Sequence, residues 1–216
     1  MKELKFDRIF ILMIFVLFNL NNLEAQPMSK KISMGKSGDI HPKPALVIGS
    51  YGKDGMPNIM TASWTGICNS RPMCIAVSLR PATLSYHNIT ESGAFTVNVP
   101  SKDLVKVVDF VGVKSGRDMN KFEKLGLTPV RGDSVNAPYV DEFPIVIECK
   151  VIHTIDIGSH RQFIGEVLDT KVDPAILDEK GRVDVKKLDP IIYGGKGYYG
   201  IGDFIEKPWE SYKDLE

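Results

Sequence analysis

Between Ile145 and Ile157 the chain alternates Ile145, Ile147, Cys149, Val151, Ile155 and Ile157 with Glu148, Lys150, Thr154 and Asp156. A period of two places the first set on one face of a strand and the second on the other, so the segment predicts a long β-strand whose apolar face is core. Gly158-Ser159 then turns the chain back into a second run, His160–Val172. Other hairpins share this grammar. Ala45–Tyr51 and Met56–Ala62 flank Gly52-Lys53-Asp54-Gly55, whose Asp-Gly pair supplies the positive φ of a tight turn. Cys74–Leu79 and Ala94–Val99 are further strands, each closed by a proline, and Ile191–Tyr193 turns through Gly194–Gly197 into Tyr198–Ile201. Sequential hairpins without a βαβ rhythm predict a mainly β, antiparallel barrel or sandwich. A barrel is favoured because closure hides strand edges.

Two helices interrupt the strands. Leu84–Ser92 follows Pro81 with Thr83 as its cap and Gly93 as its stop. Ser101–Val111 places Leu104, Val107, Val108 and Val111 on one face and is expected to end at Gly112.

Lys plus Arg and Asp plus Glu both number 27, so no net field gathers phosphate backbones, and nucleic acid is excluded as an expected partner. Three cysteines cannot close a disulfide framework, and the four histidines lack metal-ligand spacing. No metal is expected. Neither a G-x-S-x-G nor a Walker motif occurs, which removes hydrolase and NTPase readings. Gly195-x-Gly197-x-x-Gly200 matches the dinucleotide fingerprint by letter but follows a short strand without a βαβ unit, so it reads as a hairpin turn. Asn88-Ile89-Thr90 is a glycosylation sequon inside a predicted helix and reads as chance.

The apolar run Ile9–Phe18, with Lys2, Lys5 and Arg8 before it and a cleavage-type boundary after Ala25, reads as a signal peptide over residues 1–25. Export to a periplasm follows from that reading. The alternative is a cytoplasmic protein starting at Met28, with the upstream residues an extension. Residues 26–216 are read as one domain.

Two segments carry candidate chemistry. In Ser78-Leu79-Arg80-Pro81-Ala82-Thr83 a strand ends, a guanidinium follows and a hydroxyl stands at a helix start, which is an anion site in outline. The same residues also read as a plain N-cap and a solvated turn arginine. Thr61-Ala62-Ser63-Trp64-Thr65 is either a polar binding run or a strand end whose indole caps the core.

These blocks, with Asn58–Trp64, Phe95–Pro100, Gly112–Asp118, Lys121-Phe122, Glu148–Val151 and Gly158–His160 followed by Phe163–Val167, resemble in order those of the flavin reductase-like family, the flavoredoxin-type FMN-binding split barrels. The resemblance spans roughly residues 32–205. It implies a Greek-key split β-barrel that pairs into a homodimer, with FMN near the subunit interface. It also implies NAD(P)H as electron donor or, alternatively, a redox protein partner served by an FMN carrier. Carried over by position, it implies Thr61, Ala62, Ser63 and Trp64 along the flavin ring and ribityl chain and Ser78, Arg80 and Thr83 at the phosphate. Asn98, Ser115 and Gly116 are further cofactor residues, and His160 lies near flavin or nicotinamide or else faces solvent at a hairpin end.

Overall fold

The computed structural model describes residues 30–38 and 40–209. The leader expected at residues 1–25 and the alternative start at Met28 lie outside the described residues. Residues 30–38 contain no helix or strand.

The main sheet has seven strands. In chain order they are β2 (Leu46–Tyr51), β3 (Pro57–Ala62), β4 (Thr65–Ser70), β5 (Met73–Leu79), β6 (Ala94–Val99), β9 (Ile145–Ile157) and β10 (His160–Val172). Their spatial order is β3-β2-β6-β9-β10-β5-β4, antiparallel at every step. The sheet curls until β3 meets β5 with no ladder between them, which gives the split β-barrel the sequence predicts. Smaller pieces complete the fold: β1 (Lys43–Pro44) with β11 (Ile191–Tyr193) and β12 (Tyr198–Gly200), and the pair β7 (Pro129–Arg131) and β8 (Pro138–Val140). Helices α1 (Leu84–Ser92), α2 (Val105–Val113), α3 (Lys121–Leu125) and α4 (Val185–Leu188) lie between them. The β2–β3 and β11–β12 hairpins turn on Gly55 and Gly195, both at positive φ, so the match to the dinucleotide fingerprint at Gly195–Gly200 is a hairpin turn as read.

Two cores lie on opposite faces of the sheet. Ile48, Ile75, Val77, Phe95, Val97, Cys149 and Phe163 fill the barrel, with Ile89 of α1 closing it. Val47, Ile59 and Val146 face outward into a second core against Val108, Val111 and Phe122 of α2 and α3. Strands covered on both faces read as continuous apolar runs, as β2 and β6 do.

This double cover corrects the reading of β9. Its expected polar-face residue Glu148 is completely buried, while Ile155 and Ile157, expected in the core, are 46% and 56% exposed. Two causes combine. The β6 partner ends opposite Lys150, so the distal half of β9 is an edge. A bulge at Ile152 also reverses which side chains face inward. The Glu148 carboxylate accepts N–H bonds from Asp133, Ser134 and Val135 and pairs with Lys171, fastening that loop to the sheet.

Helix α1 has its expected bounds, cap and stop. The second helix does not end at Gly112: a 3-10 turn at Lys102–Leu104 leads into α2, which runs through Gly112 to Val113. Gly112 is there because α2 crosses β3 closely, and a Cβ at this position would stand 3.2 Å from Thr61 Cβ. Strand β4 and helix α3 were not expected. Asn88 of the sequon is buried and donates to Ser50 Oγ at 3.2 Å, so it is no glycan acceptor in the folded chain. Cys74 and Cys149 are buried and Cys68 is exposed.

Candidate functional site

The loop Arg80–Thr83 delivers the chain from the end of β5 to the start of α1. Thr83 adopts extended backbone, its Oγ1 accepts from Tyr86 N at 3.3 Å, and the same hydroxyl donates to Arg80 O at 2.9 Å. Capping therefore occupies the Thr83 hydroxyl. It also orients the first turn of α1, where N–H groups lack intrahelical partners and the positive end of the dipole lies.

A cavity of about 170 Å³ opens at this N-terminus, walled by Thr83, Leu84 and Ser85, by Asn58 and Met60 of β3, and by Val111–Gly116 with Lys121. The segment after α2 is held against α1 by local bonds: Ser115 Oγ accepts from Arg117 N at 3.2 Å, and Arg117 Nη1 donates to Ala82 O at 2.7 Å. Gly116 is needed for this approach, because a Cβ would fall 2.0 Å from Asn58 Oδ1. The charged side chains in the wall are Lys114 and Lys121, and no carboxylate lines it. Lys121 is buried, its Nζ donating to Ile59 O and Val111 O, both at 2.8 Å, and burial lowers its pKa to about 8. Such a wall accommodates an anion. A wider cavity of about 660 Å³ shares Asn58, Leu84 and Gly116 with it and extends past Met56, His87 and Arg117.

At the other end of β3 the chain leaves through Ser63 and Trp64. Trp64 does not cap the core: it is 65% exposed and stacks on His160, with ring centroids 5.5 Å apart and planes 24° from parallel. Ser78 N donates to Trp64 O at 2.9 Å. Pairing of Arg161 with Leu79 sets His160 beside the Leu79–Arg80 step. His160 Nδ1 lies 2.8 Å from Ser159 Oγ. Arg80 is exposed, and its guanidinium has no protein partner among the described residues.

The structure thus gathers Trp64, Ser78 and His160 at one end and Thr83, Ser115 and Gly116 at the other, with Thr61, Ala62 and Ser63 between and Arg80 on the turn that joins Ser78 to Thr83. Not all of them offer a free group. Thr61 Oγ1 donates to Val108 O at 2.5 Å, and Ala62 is buried, so neither offers a free polar side chain. Asn98 requires correction. It is completely buried, donates to Val47 O and Thr96 Oγ1, and accepts from Val140 N, which leaves no polar group for a ligand. Sequence reasoning missed Asn58, Ser85 and Lys121. The available signal was Lys121 itself, a cation between the helix cap Asn120 and the core residue Phe122.

Two buried polar atoms among the described residues lack protein partners, Asn58 Oδ1 and Thr65 Oγ1. One is at each end of this track. Buried polar groups are otherwise nearly always paired, so both atoms mark places where a ligand's polar group would bind, a donor in the case of the Asn58 carbonyl oxygen.

Known proteins share this fold. Flavoredoxin of Desulfovibrio vulgaris (Miyazaki F) superposes with a TM-score of 0.80 at 47% identity, covering 84% of this chain and 99% of that one. An FMN-binding protein from Thermus thermophilus shares the fold at 20% identity, with a TM-score of 0.71 over 84% of this chain and 100% of that one. A ferric-chelate reductase (NAD(P)H) of Archaeoglobus fulgidus is 34% identical over 104 residues, 48% of this chain and 60% of that protein. Residues 37–202 match the flavin reductase like domain, and the chain belongs to that family.

Proposed function

We propose that the chain binds FMN along this track, with the phosphate in the cavity at the α1 N-terminus and the ring toward Trp64 and His160, and that it is an oxidoreductase taking electrons from NAD(P)H. The observation that carries the reading is the small cavity whose charged wall residues are two lysines, at the start of a helix and at one end of the Thr61–Trp64 segment. Arg80, Lys114 and the first turn of α1 are the groups suited to a phosphate; Ser63, Trp64, Ser78 and His160 are those suited to a ring and polyol chain. Bound flavin supplies the redox chemistry by accepting a hydride or two electrons at its ring, and the protein binds and orients it. Membership of the flavin reductase-like family supports the cofactor assignment.

The same reading includes a homodimer. Ile67 on the edge strand β4 and Ile155 and Ile157 on the free edge of β9 are apolar and exposed, and the barrel interior is filled by its own side chains. An exposed apolar edge of this kind suits a second copy of the chain.

Purified protein titrated with FMN, then assayed for NADH and NADPH oxidation with and without added flavin, tests the proposal. FMN binding with turnover supports it in full. A yellow protein that does not oxidise either nucleotide favours the second reading, an FMN carrier serving a redox protein. A protein without flavin affinity defeats both.

A further inference from the structure

We propose that Lys121 is the buried counter-charge of the ligand's phosphate, a binding residue that makes the site prefer phosphorylated flavin. The inference rests on the flavin reading and goes beyond it by assigning this residue and its linkage.

Lys121 is 3% exposed, and none of the ion pairs among the described residues involves it. Two of its three ammonium hydrogens go to the carbonyls of Ile59 and Val111, leaving the third with no acceptor among the described residues. It is also the first residue of α3, the end of a helix where a positive charge is disfavoured. A lysine that only bridged two carbonyls would not need a full charge; a neutral donor such as glutamine can do the same. Burial, position and lack of a partner each penalise the charge, and a buried charge is retained where something of opposite sign meets it.

What could meet it is set by the cavity. Its wall comprises the backbone and side chains of β3 around Asn58 and Met60, the first turn of α1, the end of α2 and the segment Lys114–Gly116. Across all of these the other charged group is Lys114, so the wall has no internal anion. A phosphate fits both the sign of this field and the unpaired N–H groups of α1.

The linkage follows from the free protein. Burial holds Lys121 near a pKa of about 8, so it loses its proton as the pH rises past that value. A phosphate beside it favours the charged form and raises the pKa, so binding above pH 8 draws a proton from solution. FMN affinity falls over that range, whereas riboflavin has no phosphate and shows no such dependence.

The test is to measure dissociation constants for FMN and riboflavin from pH 6.5 to 9.5 with the unmodified chain, Lys121→Met and Lys121→Arg. Calorimetry of FMN binding at pH 8.5 in two buffers of different ionisation enthalpy counts the protons. The expected result is FMN binding by the unmodified chain that weakens about tenfold between pH 7.5 and 9.5, with proton uptake at pH 8.5 and flat riboflavin binding. Lys121→Met should lose tenfold or more for FMN at pH 7, keep riboflavin within about twofold, and show no alkaline fall, while Lys121→Arg keeps the preference for FMN and also loses the fall. Parental FMN preference and pH profile in Lys121→Met overturn the proposal. If that variant does not fold, absence of proton uptake by the unmodified chain at pH 8.5 overturns it equally. Equal binding of FMN and riboflavin by the unmodified chain overturns this inference alone; binding of neither overturns the flavin reading with it.

Discussion

Trp64 and His160 flank strand β5, one just before β4 and the other at the start of β10, and their rings stack 5.5 Å apart at the open end of the candidate site. An exposed indole braced in this way costs little to desolvate against a flat aromatic ligand. Such stacks are worth about 0.5–1.5 kcal/mol, so Trp64→Ala should weaken FMN and riboflavin alike by about twofold to tenfold. Trp64→Phe should recover most of the loss. Fluorescence titration of both flavins checks this, and unchanged affinity in the alanine variant would place the ring elsewhere.

Arg80 bears on the opposite property. Its guanidinium lacks a partner among the described residues beside the capped start of α1, so Arg80→Ala removes a cation without leaving a buried group of those residues unpaired. FMN affinity should fall by about tenfold, the order expected for one hydrogen bond to a charged group, and riboflavin affinity should not change. An alanine variant with parental FMN affinity would falsify the placement of the phosphate near this loop.

Glu148 and Lys171 govern stability rather than binding. The carboxylate is fully buried and holds three loop N–H groups, so Lys171→Met leaves it charged and uncompensated and should destabilise the fold by about 3–5 kcal/mol. Adding Glu148→Gln to that variant should restore part of the loss. Urea denaturation of the single and double variants measures both steps.

The flavin-free protein should become more stable between pH 8 and pH 9. In that interval the unfolded chain keeps a proton on Lys121, ordinarily at 10.5, while the folded chain, with its pKa near 8, has released it. Stability therefore rises with pH, by up to about 1 kcal/mol over that unit. Above pH 9 the rise should stop, because burial pushes the Cys149 thiol up to about 12, so it stays protonated in the fold and ionises in the unfolded chain. Denaturation midpoints at half-unit pH steps follow both effects. A rise that persists in Lys121→Met would point to a different group.

Much of this architecture was legible in the sequence where local chemistry decided it. Thr83 and Gly93 bound α1 because a hydroxyl cap and a left-handed stop need only neighbouring residues. The faces of β9 were not legible, because burial of Glu148 depends on a loop and a lysine from β10, and exposure of Ile155 on where β6 ends. The site divides in the same way. The Ser78–Thr83 turn and the Thr61–Thr65 run with Trp64 stood out by residue type, whereas His160 came from the family resemblance. Asn98 misled because an asparagine in a strand shows its polarity but not the three core partners that consume it. Lys121 escaped notice because its place between the cap Asn120 and the core residue Phe122 hints at burial but not at what it faces; only the fold places it in the cavity wall.

The three cysteines turn the native structure into its own clock. A thiol reagent meets one accessible sulfur, Cys68, while Cys74 on β5 and Cys149 on β9 lie in the barrel strands and become reactive when those strands part. One equivalent of label should be taken up at once and two more at the rate of opening. Comparing the slow phase with and without FMN would read how far the ligand holds the barrel closed, with no substitution introduced anywhere in the chain.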